Sequence, residues 1–456
     1  MPHTTRQSVL FEGLSGKPVA VAFDAPLQSS DGGCLLLSAV DRKLGLTKAL
    51  SHALVDQREP RKVRHRLDEI LRQRIYGIAL GYPDGNDSAR IGHDPLLKLT
   101  CGRSVADEQG LASQPTLSRF EHAVGGRELV GMGRSLEAAV IRQLKRRHPR
   151  ARLITIDLDT TDDPTHGQQD FSFFNGHYDR WCFLPMLGFL SVDDDPEQVL
   201  FHARLRPGNA AGTRTVAPVL RRTVDRLRRL FPRSRIRVRL DGGFAQPRLL
   251  DLLEELGVEY LVAVPGNKVL LRKAEPRMRL ARHFAAQSSQ SRHVMDECVY
   301  RAKTWSVWRR VIFKAEVVCH PGRAPRDNAR FVATNLDRMG PERIYGLYRK
   351  RGDVENRIKE LLGDLEIGRT SATSYLANQL RVLMVAAAFV LCQELRARMK
   401  ATEMWRCQVA TMRLRLFKVA ALVTESVRRV VLSMPAGHPW RELWCLAARR
   451  LGAIPI

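Results

Sequence analysis

Residues 153–160 read L-I-T-I-D-L-D-T, and residues 235–244 read R-I-R-V-R-L-D-G-G-F. Each stretch has the β-branched, apolar composition of a short strand, and each strand ends at an aspartate, Asp159 or Asp241. Carboxylates at the carboxyl ends of neighbouring strands can converge on one crevice. The two glycines that follow Asp241 permit a tight turn and a close approach of a phosphate backbone. These stretches therefore predict an α/β core with an acidic crevice at the strand ends.

The segments around these strands predict the rest of the architecture. From Arg152 to residue 264 the predicted order is β-β-β-α-β-α-β, which is typical of a layered α/β domain. Apolar residues at three- and four-residue steps predict a helix over Leu67–Leu80 in the preceding region. We expect five regions: a mainly helical N-terminal region (1–150), the first part of the core (151–264), a β-rich insertion (265–330), the remainder of the core (331–380) and a helical C-terminal region (381–456).

A third carboxylate lies in a long helix that is predicted to begin near Pro341. At about 100° per residue, one narrow stripe of this helix carries four residues: Tyr348, Arg351, Glu355 and Lys359. The adjacent apolar face carries five: Leu347, Val354, Ile358, Leu361 and Leu365. Because Glu355 lies beside the apolar face, it can reach inward to the edge of a sheet. The two cations beside it are placed to hold phosphates.

Three carboxylates with basic neighbours suit metal-dependent chemistry on a phosphodiester. Two metal ions about 3.5–4 Å apart can activate an attacking oxygen and stabilise a leaving one. Mg²⁺ prefers carboxylate oxygens and retains several waters. Each acidic residue alone is an ordinary turn or surface residue, so only the set points to this chemistry. Three further aspartates compete with Asp159 for the first position, namely Asp157, Asp162 and Asp163, and strand parity does not separate Asp157 from Asp159.

The charge of the chain points to a polyanionic partner. Lys and Arg number 74 against 48 Asp and Glu, which gives a net charge of +26. Such a charge favours nucleic acid or an anionic membrane. The longest strongly apolar run, Val382–Cys392, is shorter than the roughly 18 residues that span a bilayer, and the N-terminus lacks an apolar signal core. We therefore expect a cytoplasmic protein that binds DNA and no membrane. The cysteines form no C-x-x-C pair, which argues against a zinc site or a disulfide framework.

Two helical segments are candidates for DNA contact. The stretch S-Q-P-T-L-S-R-F-E, residues 113–121, predicts a short helix in which Ser113 is the expected cap and Arg119 is placed to enter a groove. An ordinary packing helix is an equally good interpretation of this stretch. The basic helix over Thr215–Leu230 carries Arg221 and Arg222, which we expect to neutralise the DNA backbone.

Taken jointly, several motifs resemble those of the DDE transposases of bacterial insertion sequences. The group in question has its third carboxylate in a Y-R-E-K signature, and the narrower resemblance is to the insertion-sequence family numbered thirteen-eighty. The motifs, besides residues 113–121, are D-L-D-T-T-D-D-P-T-H-G-Q-Q (157–169), F-F-N-G-H-Y-D (173–179), L-R-P-G-N (205–209), D-G-G-F (241–244) and R-G-D-V-E-N-R-I-K-E (351–360). They extend over most of the chain.

The resemblance implies a ribonuclease H-like catalytic core and a set of metal ligands. It implies Asp159, rather than Asp157, as the first ligand, with Asp241 as the second and Glu355 as the third. These would hold two Mg²⁺ ions, for which Mn²⁺ would substitute. Two residues match the Y-x-x-R-x-x-x-E spacing, Tyr348 and Arg351. The lysine of the signature would fall at Leu362, which leaves the role of Lys359, three residues earlier, open.

The resemblance also implies a DNA-binding role for the insertion. Similar transposases carry a β-rich insertion at this place that helps to hold transposon ends and a DNA hairpin. Trp305 and Trp308 lie in this stretch, and our hypothesis is that one of them stacks on an extruded base. Ordinary strand packing is the alternative for both rings.

The predicted activity is hydrolysis at each end of the insertion sequence, followed by attack of the freed 3′-hydroxyl on target DNA. The partners would be double-stranded DNA, as terminal inverted repeats and target, and a second copy of the chain that bridges two ends. Two alternatives remain. One is a DNA-binding regulator or relic without catalysis, and the other is a ribonuclease H-like nuclease that cuts but never joins.

Overall fold

A computed structural model describes residues 9–11, 19–22, 25–210 and 212–454. The chain divides into two compact units. The first comprises residues 1–51, 56–123 and 391–456, and the second comprises residues 52–55 and 124–390. Residues 391–456 thus belong to the same compact unit as the N-terminal helices.

The first unit is mainly helical, as the sequence predicts. Its helices are α1 (Cys34–Leu44), α2 (Leu46–Ser51), α3 (Leu67–Leu80), α4 (Ser88–Ile91), α5 (Pro95–Cys101), α6 (Gln114–Ala123), α14 (Val409–Met412) and α15 (Arg441–Arg450). Its strands are β1 (Val9–Phe11), β2 (Val19–Val21), β3 (Gln28–Ser29), β15 (Ala421–Glu425) and β16 (Val430–Ser433). Helix α3 has the bounds predicted from its apolar periodicity. Strand β16 pairs antiparallel with β15.

An eight-stranded mixed sheet organises the second unit, in the order β12-β13-β14-β11-β10-β4-β8-β9. The strands are β4 (Leu153–Thr160), β8 (Met186–Val192), β9 (Val199–Arg204), β10 (Arg235–Leu240), β11 (Glu259–Val264), β12 (Arg292–Tyr300), β13 (Arg309–Val318) and β14 (Arg326–Thr334). Strands β4, β10 and β11 run parallel, and β8 runs antiparallel to β4. A second, three-stranded sheet is formed by β5 (Asp163–Pro164), β6 (Phe173–Asn175) and β7 (Arg180–Phe183). The chain is thus of the mixed α/β class. The main-sheet strands and the helices between residues 152 and 264 follow the predicted order, whereas the short strands β5, β6 and β7 were not predicted.

Helices of the second unit are α7 (Gly126–Arg147), α8 (Gly212–Leu230), α9 (Pro247–Glu255), α10 (Lys268–Ser288), α11 (Pro341–Arg349) and α12 (Gly352–Gly363). The expected β-rich stretch therefore begins with a 21-residue helix, α10. Its small and apolar side chains pack on β13, where Ala281 and Ala285 lie against Ala315 and Val317. The strands that follow α10 extend the main sheet instead of forming a separate one.

The helix expected from Pro341 is two helices. Helix α11 ends at Arg349 and α12 begins at Gly352, with Lys350 and Arg351 between them. The predicted apolar face is still buried, since Val354 and Leu361 are fully enclosed and Leu365 is 1% exposed. Helix α11 packs on the sheet through Ile344 and Tyr345.

The apolar run Val382–Cys392 lies within a long helix, α13 (Tyr375–Arg398). Among the described residues, α13 is the one helix long and apolar enough to cross a membrane, and 83% of its most apolar window is buried inside the protein. The prediction of a buried helix for this run is confirmed.

Candidate active site

Two of the three predicted carboxylates lie side by side at the ends of adjacent strands of the main sheet. Asp159 is the penultimate residue of β4, and Asp241 directly follows β10. In the parallel pairing of these strands, Leu158 lies opposite Leu240, so the next position on each strand is one of the two aspartates. Asp241 also caps the turn after β10, where its Oδ1 accepts a hydrogen bond from the amide of Gly243 at 3.0 Å.

The third carboxylate is linked to the first by an arginine. Arg351 Nη1 lies 2.6 Å from Asp159 Oδ2, and Nη2 lies 3.3 Å from Glu355 Oε1. The Arg351 side chain is 16% exposed, whereas that of Glu355, on the first turn of α12, is 56% exposed. The guanidinium thus lies between a buried carboxylate, Asp159, and an exposed one, Glu355.

Charge interactions between these groups shift their pKa values. Burial raises the pKa of Asp159 to about 6, although Arg351 opposes the shift, and the negative charge of Asp241 adds to it. Burial lowers the pKa of Arg351, but the charges of Asp159 and Asp241 outweigh burial and raise it. Burial raises the pKa of Tyr348, and the nearby Arg351 opposes the shift. Asp159, Asp241, Tyr348 and Arg351 therefore form one interacting group.

The three competing aspartates have other partners. Asp157 is 1% exposed, and both of its oxygens accept from Arg239, at 2.8 and 2.7 Å. Asp162 lies 3.6 Å from Arg180. Asp163 is fully buried and accepts a hydrogen bond from the Thr370 hydroxyl at 2.7 Å. The structure thus separates Asp157 from Asp159, which strand parity alone does not.

Two residues near the carboxylates were not singled out from the sequence. Tyr178 follows β6; burial raises its pKa, and the charges of Asp162, Asp159 and Asp241 add to the shift. Arg206 is 2% exposed; burial lowers its pKa to about 10, and Asp241 is among the charges that act on it. Both lie in motifs quoted for the family resemblance, 173–179 and 205–209. The position of a residue within those motifs was the available signal.

The fit of the carboxylates to a metal ion depends on Arg351. Among the residues that the structure describes, no three acidic, histidine or cysteine side chains form a group that could hold a metal as they stand. The Arg351 guanidinium already supplies a positive charge to Asp159 and Glu355. Hard divalent cations take carboxylate oxygens, which Asp159, Asp241 and Glu355 would supply.

The predicted DNA contacts have different surroundings. Arg119 is exposed on α6, with Nη2 3.5 Å from the Thr116 hydroxyl. Arg221 and Arg222 form ion pairs within the second unit: Arg221 with Glu255 at 2.8 Å, and Arg222 with the fully buried Glu137 at 2.8 Å. The guanidinium groups of both arginines are thus already paired with carboxylates.

The remaining candidates lie on β-strand connections and on α12. Trp305 is 6% exposed and packs edge-on against Tyr300 with a centroid separation of 5.3 Å. Trp308 is 63% exposed, with the Arg301 guanidinium 5.6 Å from its ring centre. The base-stacking hypothesis therefore rests on Trp308, because the Trp305 ring is buried and packs against Tyr300. Lys359 is exposed on α12.

Comparison with known proteins agrees with this arrangement. The model of one protein family, described as transposase DDE domain group 1, matches residues 11–455. No curated protein matches the chain. The matched region includes β4, β10 and α12, the three elements that carry Asp159, Asp241 and Glu355. Proteins with this domain are transposases that act on DNA and generally use divalent metal ions. The chain therefore belongs to the transposase DDE domain group 1 family.

Proposed function

We propose that this protein cuts DNA at the ends of its own insertion sequence and joins those ends to target DNA. The reaction would be hydrolysis of a phosphodiester, followed by transesterification with the freed 3′-hydroxyl. The observation that supports the proposal is that Arg351 links Asp159 to Glu355, while Asp241 follows the strand that pairs with the strand of Asp159. We further infer the ribonuclease H-like core, supported by the strand order β9-β8-β4-β10-β11, and the narrower membership in the insertion-sequence family numbered thirteen-eighty.

In this proposal the three carboxylates hold two Mg²⁺ ions, which Mn²⁺ can replace. When bound, the metal activates the attacking oxygen and stabilises the leaving oxygen. Arg351 is the nearest cation to the carboxylates and has a planar fork of donors that suits a phosphate. We infer that it exchanges Asp159 and Glu355 for a phosphate of the bound DNA. Tyr348, which interacts electrostatically with Arg351, would then orient the guanidinium.

The DNA partner is supported by the charge of the chain and by its exposed basic residues. The net charge of +26 favours association with a polyanion through counterion release. We infer that Arg119 on α6 reads or grips the terminal repeat, that Lys359 and Trp308 contact the cleaved end, and that two copies of the chain bridge two ends. A cytoplasmic location follows from that substrate.

The deciding experiment uses purified protein and DNA that carries both ends of the element that flanks its gene. Excision and joining are followed by gel in Mg²⁺ and in Mn²⁺, beside Asp159→Asn and Glu355→Gln. Asp194→Asn is the matched control, because this aspartate side chain is fully exposed. We expect excised and joined products from the wild type and the control, and none from the two active-site variants.

Each other outcome identifies an alternative. Cleavage without joined products would indicate a ribonuclease H-like nuclease. Binding of the ends without cleavage, in either metal, would indicate a DNA-binding relic. Products that persist in Asp159→Asn would remove this residue from the proposed site.

A further inference from the structure

Arg239 makes contacts that join the three catalytic segments of the proposed site. Its Nε and Nη2 donate to the two carboxylate oxygens of Asp157 at 2.8 and 2.7 Å. Its Nη1 donates to the backbone carbonyl of Leu347 at 3.0 Å. One guanidinium therefore contacts a side chain on β4 and the main chain of α11 while it is itself part of β10.

Each residue in these contacts lies close in sequence to a residue of the proposed site. Asp157 is two residues before Asp159 on the same strand, and Arg239 is two residues before Asp241. In the register of β4 and β10, Arg239 lies directly opposite Asp157. Leu347 directly precedes Tyr348 and is close to the break from which Arg351 reaches Asp159. Each partner is thus covalently close to one part of the proposed site.

We propose that Arg239 is a positioning residue: it holds β4, β10 and the α11–α12 junction in the relative placement that brings Asp159, Asp241 and Glu355 together. This inference rests on the proposed function for the role of the carboxylates. Arg239 touches no substrate in it and acts through the elements that it joins.

Burial explains why such a contact sets geometry more than it adds stability. Arg239 is 5% exposed and Asp157 is 1% exposed. The loss of hydration on burying two charges offsets much of their attraction, so apolar residues of similar volume often replace a buried pair without loss of stability. The directional hydrogen bonds, in contrast, have no apolar equivalent. The Leu347 carbonyl lies in the last turn of α11, where carbonyls lack helical partners, so Arg239 also completes the hydrogen bonding of that helix end.

The shape of the arginine side chain is required for this role. Its planar fork presents several donors in fixed directions, whereas lysine presents a single flexible ammonium group. Lysine at this position can pair with Asp157 but cannot bind both of its oxygens and the Leu347 carbonyl together. Arg239→Lys therefore keeps the charge and loses the three-way connection.

A neighbouring arginine on the same strand provides a matched comparison. Arg237 is 4% exposed and lies on the same face of β10, two residues earlier. It pairs with Glu259 on β11 at 2.6 Å, and β11 carries none of the three carboxylates. This pair is less deeply buried, since the Glu259 side chain is 17% exposed, and it joins only two strands of the sheet.

The test compares two double variants that replace a buried ion pair by uncharged side chains. The first is Asp157→Leu with Arg239→Met, and the control is Arg237→Met with Glu259→Gln. Three properties are measured on the full chain: the midpoint of thermal unfolding, hydrogen exchange of the segment 345–356, and the affinity for Mn²⁺ by electron paramagnetic resonance. DNA cleavage gives kcat and KM separately, and Arg239→Lys is measured beside the double variants.

We expect the first double variant to unfold within a few degrees of the wild type, as replaced buried pairs often do. Its 345–356 segment should exchange faster while other protected segments do not. Partners behind metal ligands typically contribute about 10- to 100-fold to metal affinity or activity, and we expect losses of this size in Mn²⁺ affinity and kcat, with KM for DNA unchanged. Arg239→Lys should restore part of the Mn²⁺ affinity. The control should match the wild type in all of these properties except small changes in stability.

Unchanged exchange in the segment 345–356, together with an unchanged unfolding midpoint, would overturn the proposal. A uniform loss of protection throughout the chain, matched by the control variant, would overturn it too, because it would assign the pair a general structural role. The exchange measurement needs neither metal nor DNA, so it decides the positioning role even if the wild type proves unable to cleave DNA.

Discussion

Arg351 and Asp159 lie 2.6 Å apart through Nη1 and Oδ2, although 192 positions separate them in the sequence. The arginine stands at the break between α11 and α12, and the aspartate stands at the end of β4. The contact places a fixed positive charge where the proposed function requires a metal ion. In the proposed function, the Arg351 side chain therefore has two binding partners in turn: the carboxylates first, and then a phosphate of the DNA.

Replacement of Arg351 should separate metal binding from DNA cleavage. In Arg351→Met, Asp159 and Glu355 lose their cation, so Mn²⁺ should bind the DNA-free protein more tightly than it binds the wild type. A hydrogen bond to a charged group contributes about 1.5–3 kcal/mol, which corresponds to about a tenfold or larger gain in affinity. Cleavage should fall, because the phosphate loses its nearest cation. Mn²⁺ titration and the gel assay measure the two effects.

Arg349→Met is the control for that experiment, since Arg349 is exposed at the end of α11 and carries the same charge. It should leave Mn²⁺ affinity unchanged. If Arg351→Met binds Mn²⁺ no more tightly than the control does, the guanidinium does not compete with the metal.

Asp163 should make the stability of the protein depend on pH. Burial raises its pKa from 3.8 to about 7, and the hydrogen bond from Thr370 only partly opposes the shift. The folded protein thus holds this proton more tightly than the unfolded chain does. The contribution of Asp163 to stability is complete below pH 3.8 and is lost as the pH rises through about 7. Asp163→Asn removes the titration, so its unfolding midpoint should gain on the wild type from about pH 5 to about pH 8.

Thermal unfolding of both proteins over this pH range tests the expectation. A difference between the two midpoints that stays constant with pH would contradict the raised pKa.

Two adjacent arginines on α8 should respond differently to truncation. Arg222 pairs with Glu137, which is fully buried, whereas Arg221 and its partner Glu255 are 49% and 60% exposed. Removing one partner of a buried charged pair leaves the other poorly satisfied, at a cost of about 1–3 kcal/mol or more. Arg222→Ala should therefore lower the free energy of unfolding, and Arg221→Ala should leave it unchanged. Urea denaturation measures both.

DNA affinity, measured on the same variants, tests their predicted role. If an arginine contacts a phosphate, its removal should reduce the salt dependence of DNA binding. An unaltered salt dependence in Arg221→Ala would exclude this residue from the DNA contacts.

Truncation of the two tryptophans should also lower the stability of the protein to different extents. Trp305 is 6% exposed and Trp308 is 63% exposed. Truncation of a buried aromatic side chain costs about 3–5 kcal/mol, so Trp305→Ala should be destabilised strongly and Trp308→Ala little. If Trp308 stacks on an extruded base, Trp308→Ala should slow cleavage while Trp308→Phe retains most of the rate. Equal rates for Trp308→Ala and the wild type would contradict the stacking hypothesis.

Local sequence alone determined many of the elements and several of their ends. Alternating β-branched residues predicted β4 and β10, and apolar steps of three and four predicted α3 and the buried face of α12, because side-chain periodicity follows backbone geometry. It also placed Asp159 and Asp241 at strand ends and Glu355 beside an apolar seam. It did not predict α10, whose short apolar stripe is flanked by charged residues, or the break between α11 and α12.

Only the tertiary structure decided which charged groups meet. Asp157 and Asp159 are equivalent by strand parity, and their difference comes from Arg239 and Arg351, which lie far away in the chain. The same holds for Arg222, whose place on a basic helix predicted DNA contact but whose nearest carboxylate is the buried Glu137. Periodicity records which face of an element is buried. The pairing of charges depends on contacts between elements, whose distances and burial are fixed only when the chain has packed.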